Sequence, residues 1–187
     1  MRAFLAIPVR PPALDDLMTV RGGLAAAVGA VRWARGDSAH ITLHFFGGID
    51  AEGADRVTAA LRPTMAAAKA MALRLGGLGS FPCGGARPRV LWLGVEGDVS
   101  RLAELAAASR ATLSAIGLPV DDRSHRPHCT LGRPRQPWPA TCLTEWREAA
   151  HARPATSWFR ADRAILYESL PTPTGTRHVP RTTLPFG

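Results

Sequence analysis

A short motif that occurs twice restricts what this chain can fold into more than any other feature. The first copy reads His-Ile-Thr-Leu-His-Phe-Phe-Gly at residues 40–47, and the second reads His-Cys-Thr-Leu-Gly-Arg at residues 128–133. The first copy is rich in β-branched and aromatic residues and ends in a glycine pair, which favours a strand over a helix. We therefore expect each copy to form one strand of a sheet.

The alternation of side chains along a strand groups the polar residues of each copy. Side chains two residues apart lie on the same face of a strand, so His40 and Thr42 share a face, as do His128 and Thr130. The apolar residues of the first copy are expected to enter the core: Ile41, Leu43 and Phe45. Each strand then presents an imidazole, which can donate or accept a proton, beside a hydroxyl that can donate a hydrogen bond.

The length and composition fit one domain over residues 1–187, or two small lobes that share a core. A chain of 187 residues can bury roughly 70% of its unfolded surface. No apolar run reaches the roughly 18 residues of a membrane span, and Pro8 interrupts the apolar start, which predicts a first strand rather than a signal segment. The cysteines are odd in number and have no CxxC spacing, which indicates reduced thiols. We expect a cytoplasmic protein with no membrane contact.

The charge of the chain gives a weaker indication of its partner. A formal net charge of +8 favours a polyanionic partner such as nucleic acid. Every basic residue except Lys69 is Arg, whose side chain suits bidentate contacts to phosphate. A chain rich in Arg, Ala and Pro also results from a biased genome composition, so the charge alone leaves both explanations open.

Local patterns predict an order of strands and helices that is similar in the two halves of the chain. Strands are expected at residues 2–7, 31–33, 41–46, 72–75, 89–95, 128–133, 157–167 and 176–184. Helices are expected at residues 11–28, 51–70, 99–116 and 143–152, and loops at residues 76–88, 121–127 and 134–139. Each half holds one His-x-Thr-Leu strand, which is consistent with an approximate internal duplication.

Three kinds of chemistry compete for the motif histidines. On a strand, His40 and His44 share a face but lie about 13 Å apart at roughly 3.3 Å per residue, too far to chelate one ion. No carboxylate or cysteine cluster accompanies them. No Ser stands in a Gly-x-Ser-x-Gly elbow, and no P-loop or Gly-x-Gly-x-x-Gly motif is present. Two histidines on facing strands instead suit transfer at phosphorus, which needs an acid and a base on opposite sides of the group. The threonines can then donate hydrogen bonds to the non-bridging oxygens.

At these residues the chain resembles the 2H phosphoesterase superfamily, whose signature is two His-x-Thr/Ser-x motifs, and within it the RNA 2′,3′-cyclic phosphodiesterase (2′-5′ RNA ligase) family. The similarity covers nearly the whole chain. It includes the opening strand at residues 2–7, the first motif block at 31–33 and 40–47, the central strand at 88–94, the second motif at 127–133 and the ending at 166–169. His178 stands where such proteins often carry Tyr.

The resemblance implies an α+β fold with two pseudo-twofold-related lobes of antiparallel β-sheet and outer helices around a central, positively charged cleft. The lobes would be interleaved within a single domain of residues 1–187. The implied activity is metal-independent hydrolysis of a terminal 2′,3′-cyclic phosphate of RNA to a 2′-phosphate, together with reversible 2′-5′ RNA ligase activity. No cofactor and no metal would be needed, and a monomer would act on RNA or on a nucleotide with a 2′,3′-cyclic phosphate end.

The resemblance also assigns roles to the motif residues. His128 would activate water as the base and His40 would protonate the departing 3′ oxygen as the acid, while Thr42 and Thr130 would hold the phosphate. Further candidates for contacts to RNA are Arg133, Arg126 and Trp138, the last as a stacking platform in a Pro-rich loop. Arg133 is equally well explained as a solvated charge at a strand end.

Two other functions stay open at this point. One is a non-catalytic RNA-binding protein that keeps the cleft and its charge. The other is a phosphodiesterase of the same type that acts on ADP-ribose cyclic phosphate or on 2′-5′ oligonucleotides. The presence of both histidines and both threonines argues against the first, because a binding protein has no need of a proton-transfer pair.

Overall fold

The computed structural model describes residues 1–83, 87–118, 120, 125–173 and 175–187. The strands in these residues are β1 (Arg2–Pro8), β2 (Val31–Trp33), β3 (His40–Gly48), β4 (Met71–Phe81), β5 (Val90–Gly97), β6 (His128–Pro134), β7 (Phe159–Ala161), β8 (Arg163–Thr172) and β9 (Gly175–Pro185). The helices are α1 (Ala13–Ala27), α2 (Ala51–Ala67), α3 (Val99–Ala115) and α4 (Ala140–His151). Residues 121–124 of the loop predicted at residues 121–127 lie outside the described part of the chain.

The strands form one antiparallel sheet whose order is symmetric about its centre. The order is β7-β4-β5-β6-β3-β1-β8-β9, and β2 pairs with β6 off this path. The two motif strands, β6 and β3, stand at the centre, and each is followed outward by three strands of one lobe. The chain visits the lobes alternately, since β1, β3, β8 and β9 lie in one and β4 to β7 in the other. The α+β fold with two lobes of antiparallel sheet is therefore confirmed.

The helices pack in two pairs and contribute apolar stripes to one core. α2 contacts α3, β8 and β9, whereas α1 contacts α4 and β4. Val57, Leu61 and Met65 of α2 are spaced by four residues and fully buried, the pattern of an amphipathic helix. Pro63 lies on the exposed side of the same helix and does not end it. No helix within the described residues is long and apolar enough to cross a membrane.

A β-bulge in β3 changes the face of the residues that follow Leu43. Leu43 is an extra residue in the pairing of β3 with β1, and one extra residue reverses the alternation from that point. His44 therefore points into the core and is 6% exposed, whereas Phe45 is 61% exposed. The prediction that Phe45 enters the core is wrong, and so is the prediction that His40 and His44 share a face.

The Gly-rich segment predicted as a loop at residues 76–88 continues β4 as far as Phe81. Gly79 is opposite Trp92 of β5, and a Cβ atom on Gly79 would come within 2.1 Å of the Trp92 ring. Glycine at this position leaves space for an aromatic ring above the strand. The loop prediction is wrong for residues 76–81, and residues 84–86 lie outside the described part of the chain.

The single strand predicted at residues 157–167 is in fact two strands in opposite lobes of the sheet. β7 pairs with β4, whereas β8 pairs with β1 and β9. Asp162 stands between them, and its carboxylate accepts a hydrogen bond from Arg163 Nε at 2.7 Å. The chain thus crosses from one lobe to the other at Asp162. Alternating side chains predict a strand but carry no information about its partner.

Candidate active site

The two copies of the motif lie side by side at the centre of the sheet. Ile41 of β3 is opposite Cys129 of β6, and both side chains are fully buried. Neighbouring residues along a strand point to opposite faces, so the residues that flank Ile41 and Cys129 point away from this part of the core. The junction between the lobes therefore carries the polar motif residues on its other face.

Four polar motif residues form a compact group on that face. The antiparallel register brings His40 across from Thr130 and Thr42 across from His128. Residues directly across have Cβ atoms roughly 4.5–5.5 Å apart, and diagonal neighbours are roughly 7–8 Å apart. The histidines are the diagonal pair, and the charge of His128 lowers the pKa of His40, so the two imidazoles lie near each other across the junction. All four side chains are partly exposed, so a ligand can reach them.

The backbone holds both imidazoles in the same way. His40 Nδ1 is 2.6 Å from the carbonyl oxygen of Ser38, and His128 Nδ1 is 2.7 Å from the carbonyl oxygen of Arg126. A carbonyl oxygen can only accept a hydrogen bond, so Nδ1 carries the proton in both rings. Nε2 of each neutral ring is then the nitrogen that can accept a proton, or donate one once it is protonated.

Aromatic side chains from adjacent strands enclose both imidazoles. The centroid of the His40 ring is 4.8 Å from that of Phe4 and 5.0 Å from that of His178. The centroid of the His128 ring is 5.0 Å from that of Phe81. These neighbours displace water from the rings, and loss of hydration disfavours the protonated form of an imidazole.

Burial lowers the pKa of both motif histidines. For His40 the pKa falls from 6.5 to about 4, chiefly through loss of hydration, and the positive charges of His178 and His128 lower it further. Burial also lowers the pKa of His128, with smaller contributions from the charges of His125 and Arg133. Both rings are therefore mostly neutral at pH 7 in the unliganded protein.

The residue five positions after each motif histidine also lies on this face of the sheet. Leu131 is an extra residue in the pairing of β6 with β5, as Leu43 is in β3. Each bulge turns the residue two positions later towards the histidines, namely Phe45 in the first copy and Arg133 in the second. Both are exposed, and the charge of Arg133 contributes to the low pKa of His128. Arg133 therefore borders the histidine pair.

Arg126 takes part in the site through its backbone. Its carbonyl oxygen accepts the hydrogen bond from His128, while its guanidinium Nη1 donates to Cys83 Sγ at 3.4 Å. The side chain is exposed and lies beside the connection between β4 and β5. The position of the Arg126 side chain thus depends on Cys83, a residue outside the motif. The sequence pattern did not indicate this contact.

The structure does not place Trp138 in the site. Its ring is buried, at 6% exposure, against Trp146 of α4, with ring centroids 5.9 Å apart. A buried indole offers no free face to a base, so the stacking role predicted for Trp138 is wrong. The Pro-rich loop folds this ring into the core because α4 supplies an aromatic partner.

Several residues of the site carried no signal in the motif itself. Tyr167, the one tyrosine of the chain, stacks on Phe4 with ring centroids 5.2 Å apart. His125 Nε2 donates to the carbonyl oxygen of Thr42 at 2.9 Å and so ties the segment before β6 to the first motif strand. The alternation of residues 157–167 offered a signal for Tyr167, whereas nothing local indicated His125.

Within the described residues, no group of three or more His, Cys, Asp or Glu side chains is arranged to hold a metal ion. The cysteines are free thiols. Burial raises the pKa of Cys129 to about 12, so this thiol, which lies directly beneath the histidines, stays protonated. The groups available for chemistry at the site are therefore the imidazoles, the hydroxyls and the arginine at its border.

Comparison with known proteins agrees with this arrangement. The family model described as the 2′-5′ RNA ligase superfamily matches residues 17–171. An RNA 2′,3′-cyclic phosphodiesterase of Methanothermobacter thermautotrophicus is 28% identical over 140 residues, which are 73% of each chain. One of Thermotoga maritima is 29% identical over 133 residues, which are 71% of this chain and 70% of that protein.

Solved structures share the fold over almost the whole chain. The TT0787 protein of Thermus thermophilus matches with a TM-score of 0.80 and 22% identity, over 99% of this chain and 97% of that chain. E. coli LigT in its apo form matches with a TM-score of 0.74 and 22% identity, over 99% and 96%. The fold and the paired His-x-Thr motifs define a 2H phosphoesterase. Within that class, the chain belongs to the 2′-5′ RNA ligase superfamily.

Proposed function

We propose that this chain is an RNA 2′,3′-cyclic phosphodiesterase that opens a cyclic phosphate at an RNA end and leaves a 2′-phosphate. The observation that carries the proposal is the diagonal pair of histidines, each with Nδ1 bonded to a backbone carbonyl and each beside a threonine of the opposite strand. The relatives that share about three quarters of the chain bear this name. The free thiols support a reducing, cytoplasmic setting.

The mechanism needs one proton donor and one proton acceptor on opposite sides of the phosphorus. Nε2 of His128 takes a proton from water as the water oxygen forms a bond to phosphorus. The bond from phosphorus to the 3′ oxygen breaks, and protonated Nε2 of His40 gives its proton to that oxygen. The products are a 2′-phosphate and a free 3′-hydroxyl, with the two imidazoles in exchanged protonation states that solvent then restores.

The two motif threonines stabilise the charge of the transferring group. Negative charge increases on the non-bridging oxygens during the reaction, and hydroxyl donors fixed beside them favour that state. Thr42 and Thr130 lie across from the histidines and so face the two sides of the same group. The bound anion also raises the pKa of His40, because an adjacent negative charge favours the imidazolium.

The same site supports ligation without further groups. A 5′-hydroxyl takes the place of water, attacks the cyclic phosphate and forms a 2′-5′ bond while the 3′ oxygen leaves. The proton transfers are of the same kind, because the 5′-hydroxyl, like water, gives its O–H proton to His128 as its oxygen attacks phosphorus. Cleavage of the 2′-5′ bond is the reverse, with His40 as base and His128 as acid.

Product analysis with a cyclic-phosphate-ended RNA tests the proposal. We expect conversion to a 2′-phosphate in excess chelator, and a fraction of 2′-5′ joined product when a 5′-hydroxyl RNA is added. An otherwise identical RNA with a 3′-phosphate end is the control and should not react. Binding of the cyclic-phosphate RNA without turnover would mean that the chain is a non-catalytic RNA-binding protein. Faster turnover of ADP-ribose cyclic phosphate or 2′-5′ oligonucleotides would assign a different substrate.

The pH dependence of the reaction follows from the lowered pKa values. Activity falls at low pH as His128 gains a proton and can no longer act as base, and it falls at high pH as His40 loses the proton it must donate. Since burial places both pKa values below 6.5, we expect kcat/KM to be greatest below pH 6.5. The optimum of kcat should lie higher, because bound phosphate raises the pKa of His40.

Rate measurements from pH 4 to pH 9 check this expectation. His178→Phe is an informative variant, because the charge of His178 lowers the pKa of His40; its removal should raise the pKa of His40 and shift to higher pH the limb of the profile that this pKa sets. A maximum of kcat/KM above pH 7 in the unmodified protein would contradict the assignment of the two histidines.

A further inference from the structure

A group of arginines lies beside the end of β6 that is farther from His128. An open cavity of about 660 Å³ is lined by Arg32, Arg133, Pro134, Arg135 and Pro173. No carboxylate is among its lining residues in the described part of the chain. All three arginines are exposed, and none of their guanidinium groups has an ion pair or hydrogen bond with another described residue.

Two of these arginines oppose each other across a pair of strands. Arg32 of β2 is directly opposite Arg133 of β6, and like charges in this position repel each other. Gly132 allows the close approach, because a Cβ atom there would come within 2.7 Å of Val31 Cγ1. The fold therefore holds two positive charges together, next to a third, and no anion among the described residues balances them. An arrangement of this kind is stable when an external anion binds between the guanidinium groups.

The cavity is connected to the histidine pair through Arg133. The bulge at Leu131 turns Arg133 to the same face as His128 and Thr130, and the charge of Arg133 lowers the pKa of His128. Arg133 lies five residue steps along the strand from His128, a distance of about 16.5 Å at roughly 3.3 Å per residue. The arginines thus begin at the border of the site and extend away from it.

We propose that Arg32, Arg133 and Arg135 bind backbone phosphates of the RNA strand beyond the nucleotide that carries the reacting phosphate. The inference rests on the proposed function and specifies its substrate as an oligonucleotide. Guanidinium groups bind phosphate oxygens in a bidentate manner, and successive phosphates of one strand match a row of arginines better than a single small anion does. A mononucleotide or ADP-ribose cyclic phosphate reaches the histidines but not Arg32 and Arg135.

Substrate length tests this proposal. The quantity to measure is the ratio of kcat/KM for a cyclic-phosphate-ended hexanucleotide to that for a 2′,3′-cyclic mononucleotide. We expect the ratio to fall roughly ten- to hundredfold in the double variant Arg32→Ala/Arg135→Ala. Each substitution removes the hydrogen bonds between a charged guanidinium group and a charged phosphate. The plot of log affinity against log salt should become shallower by about 0.7 for each phosphate that the variant no longer binds. An unchanged ratio would overturn the proposal.

Arg62→Ala is the matched control, because Arg62 is an exposed arginine on α2, away from the cavity. It removes the same charge as one of the two cavity substitutions and should leave the ratio unaltered. Arg32→Lys keeps the charge but loses the bidentate geometry, so its ratio should lie between those of Arg32→Ala and the unmodified protein. A ratio that falls as much in Arg62→Ala as in the double variant would show a general charge effect and overturn the proposal.

Direct binding separates this inference from the proposed function. If the unmodified protein hydrolyses neither substrate, the proposed function fails, and fluorescence anisotropy with a 2′-phosphate-ended hexanucleotide then decides the inference alone. Weaker binding with a shallower salt dependence in the double variant supports it, and equal binding overturns it. Arg32→Ala should also have a Tm at least equal to that of the unmodified protein at low salt, because a repulsion is removed. A Tm lower by several degrees would give Arg32 a structural role instead and overturn the proposal.

Discussion

His128→Ala and His40→Ala are each expected to lower kcat for cyclic-phosphate hydrolysis by roughly 10²–10⁴. Each substitution removes one partner of the proton transfer, and a water molecule replaces it poorly because aromatic side chains enclose both rings. The double variant should lose little more than the worse single variant, since the two groups act as a unit. Single-turnover rates with a cyclic-phosphate RNA measure the effect separately from binding.

His151→Ala is the control for loss of an imidazole, because His151 is an exposed residue at the end of α4. It should retain full activity. If either motif variant kept the rate of the unmodified protein, the two-histidine mechanism would be wrong. The folded fraction of each variant is measured by circular dichroism. Activity that falls only in proportion to the folded fraction would also contradict the mechanism, because the loss would then come from unfolding.

Thr42→Val and Thr130→Val are expected to lower kcat by roughly 10²–10³ each, with a much smaller change in KM. Valine has nearly the shape of threonine and is favoured in strands, so the substitution removes a hydrogen-bond donor and leaves the backbone in place. The donor acts mainly on the charge that develops in the transition state, so the loss should appear in kcat. Steady-state kinetics of the two variants provide the measurement.

Thr42→Ser and Thr130→Ser are the matched controls, since they keep the hydroxyl and lose only a methyl group. Both should retain most of the activity. A valine variant that raises KM alone would mean that the hydroxyl holds the ground state and the transition state equally, and the role given to the threonines would then be wrong.

Much of the site could be predicted because it depends on local sequence. A strand places His40 and Thr42 on one face whatever its partners are, and the repeated motif indicates that His128 and Thr130 do the same. The resemblance to a known family then supplied the neighbouring positions of β3 and β6 and the α+β fold. These predictions needed no knowledge of which strands pair at the edges of the sheet.

The predictions that were wrong concern features created by pairing between strands. The bulge at Leu43 exists only in the register between β3 and β1, so alternation counted along β3 alone put Phe45 in the core. Gly79 belongs to a strand because the Trp92 ring lies above it, a packing arrangement that composition does not reveal. Trp138 was assigned to the surface because of its Pro-rich neighbours, whereas Trp146 of α4 provides its packing partner.

The matching hydrogen bonds from the two Nδ1 atoms to backbone carbonyls give the chemistry no built-in direction. Each ring presents the same tautomer to the phosphate, so by microscopic reversibility either one serves as donor when the other serves as acceptor. In the proposed mechanism, the polypeptide therefore lowers the barrier for opening a ring, for joining two ends and for undoing that join alike. Which product accumulates is decided by the relative free energies of the RNA ends and by the competition between water and a hydroxyl.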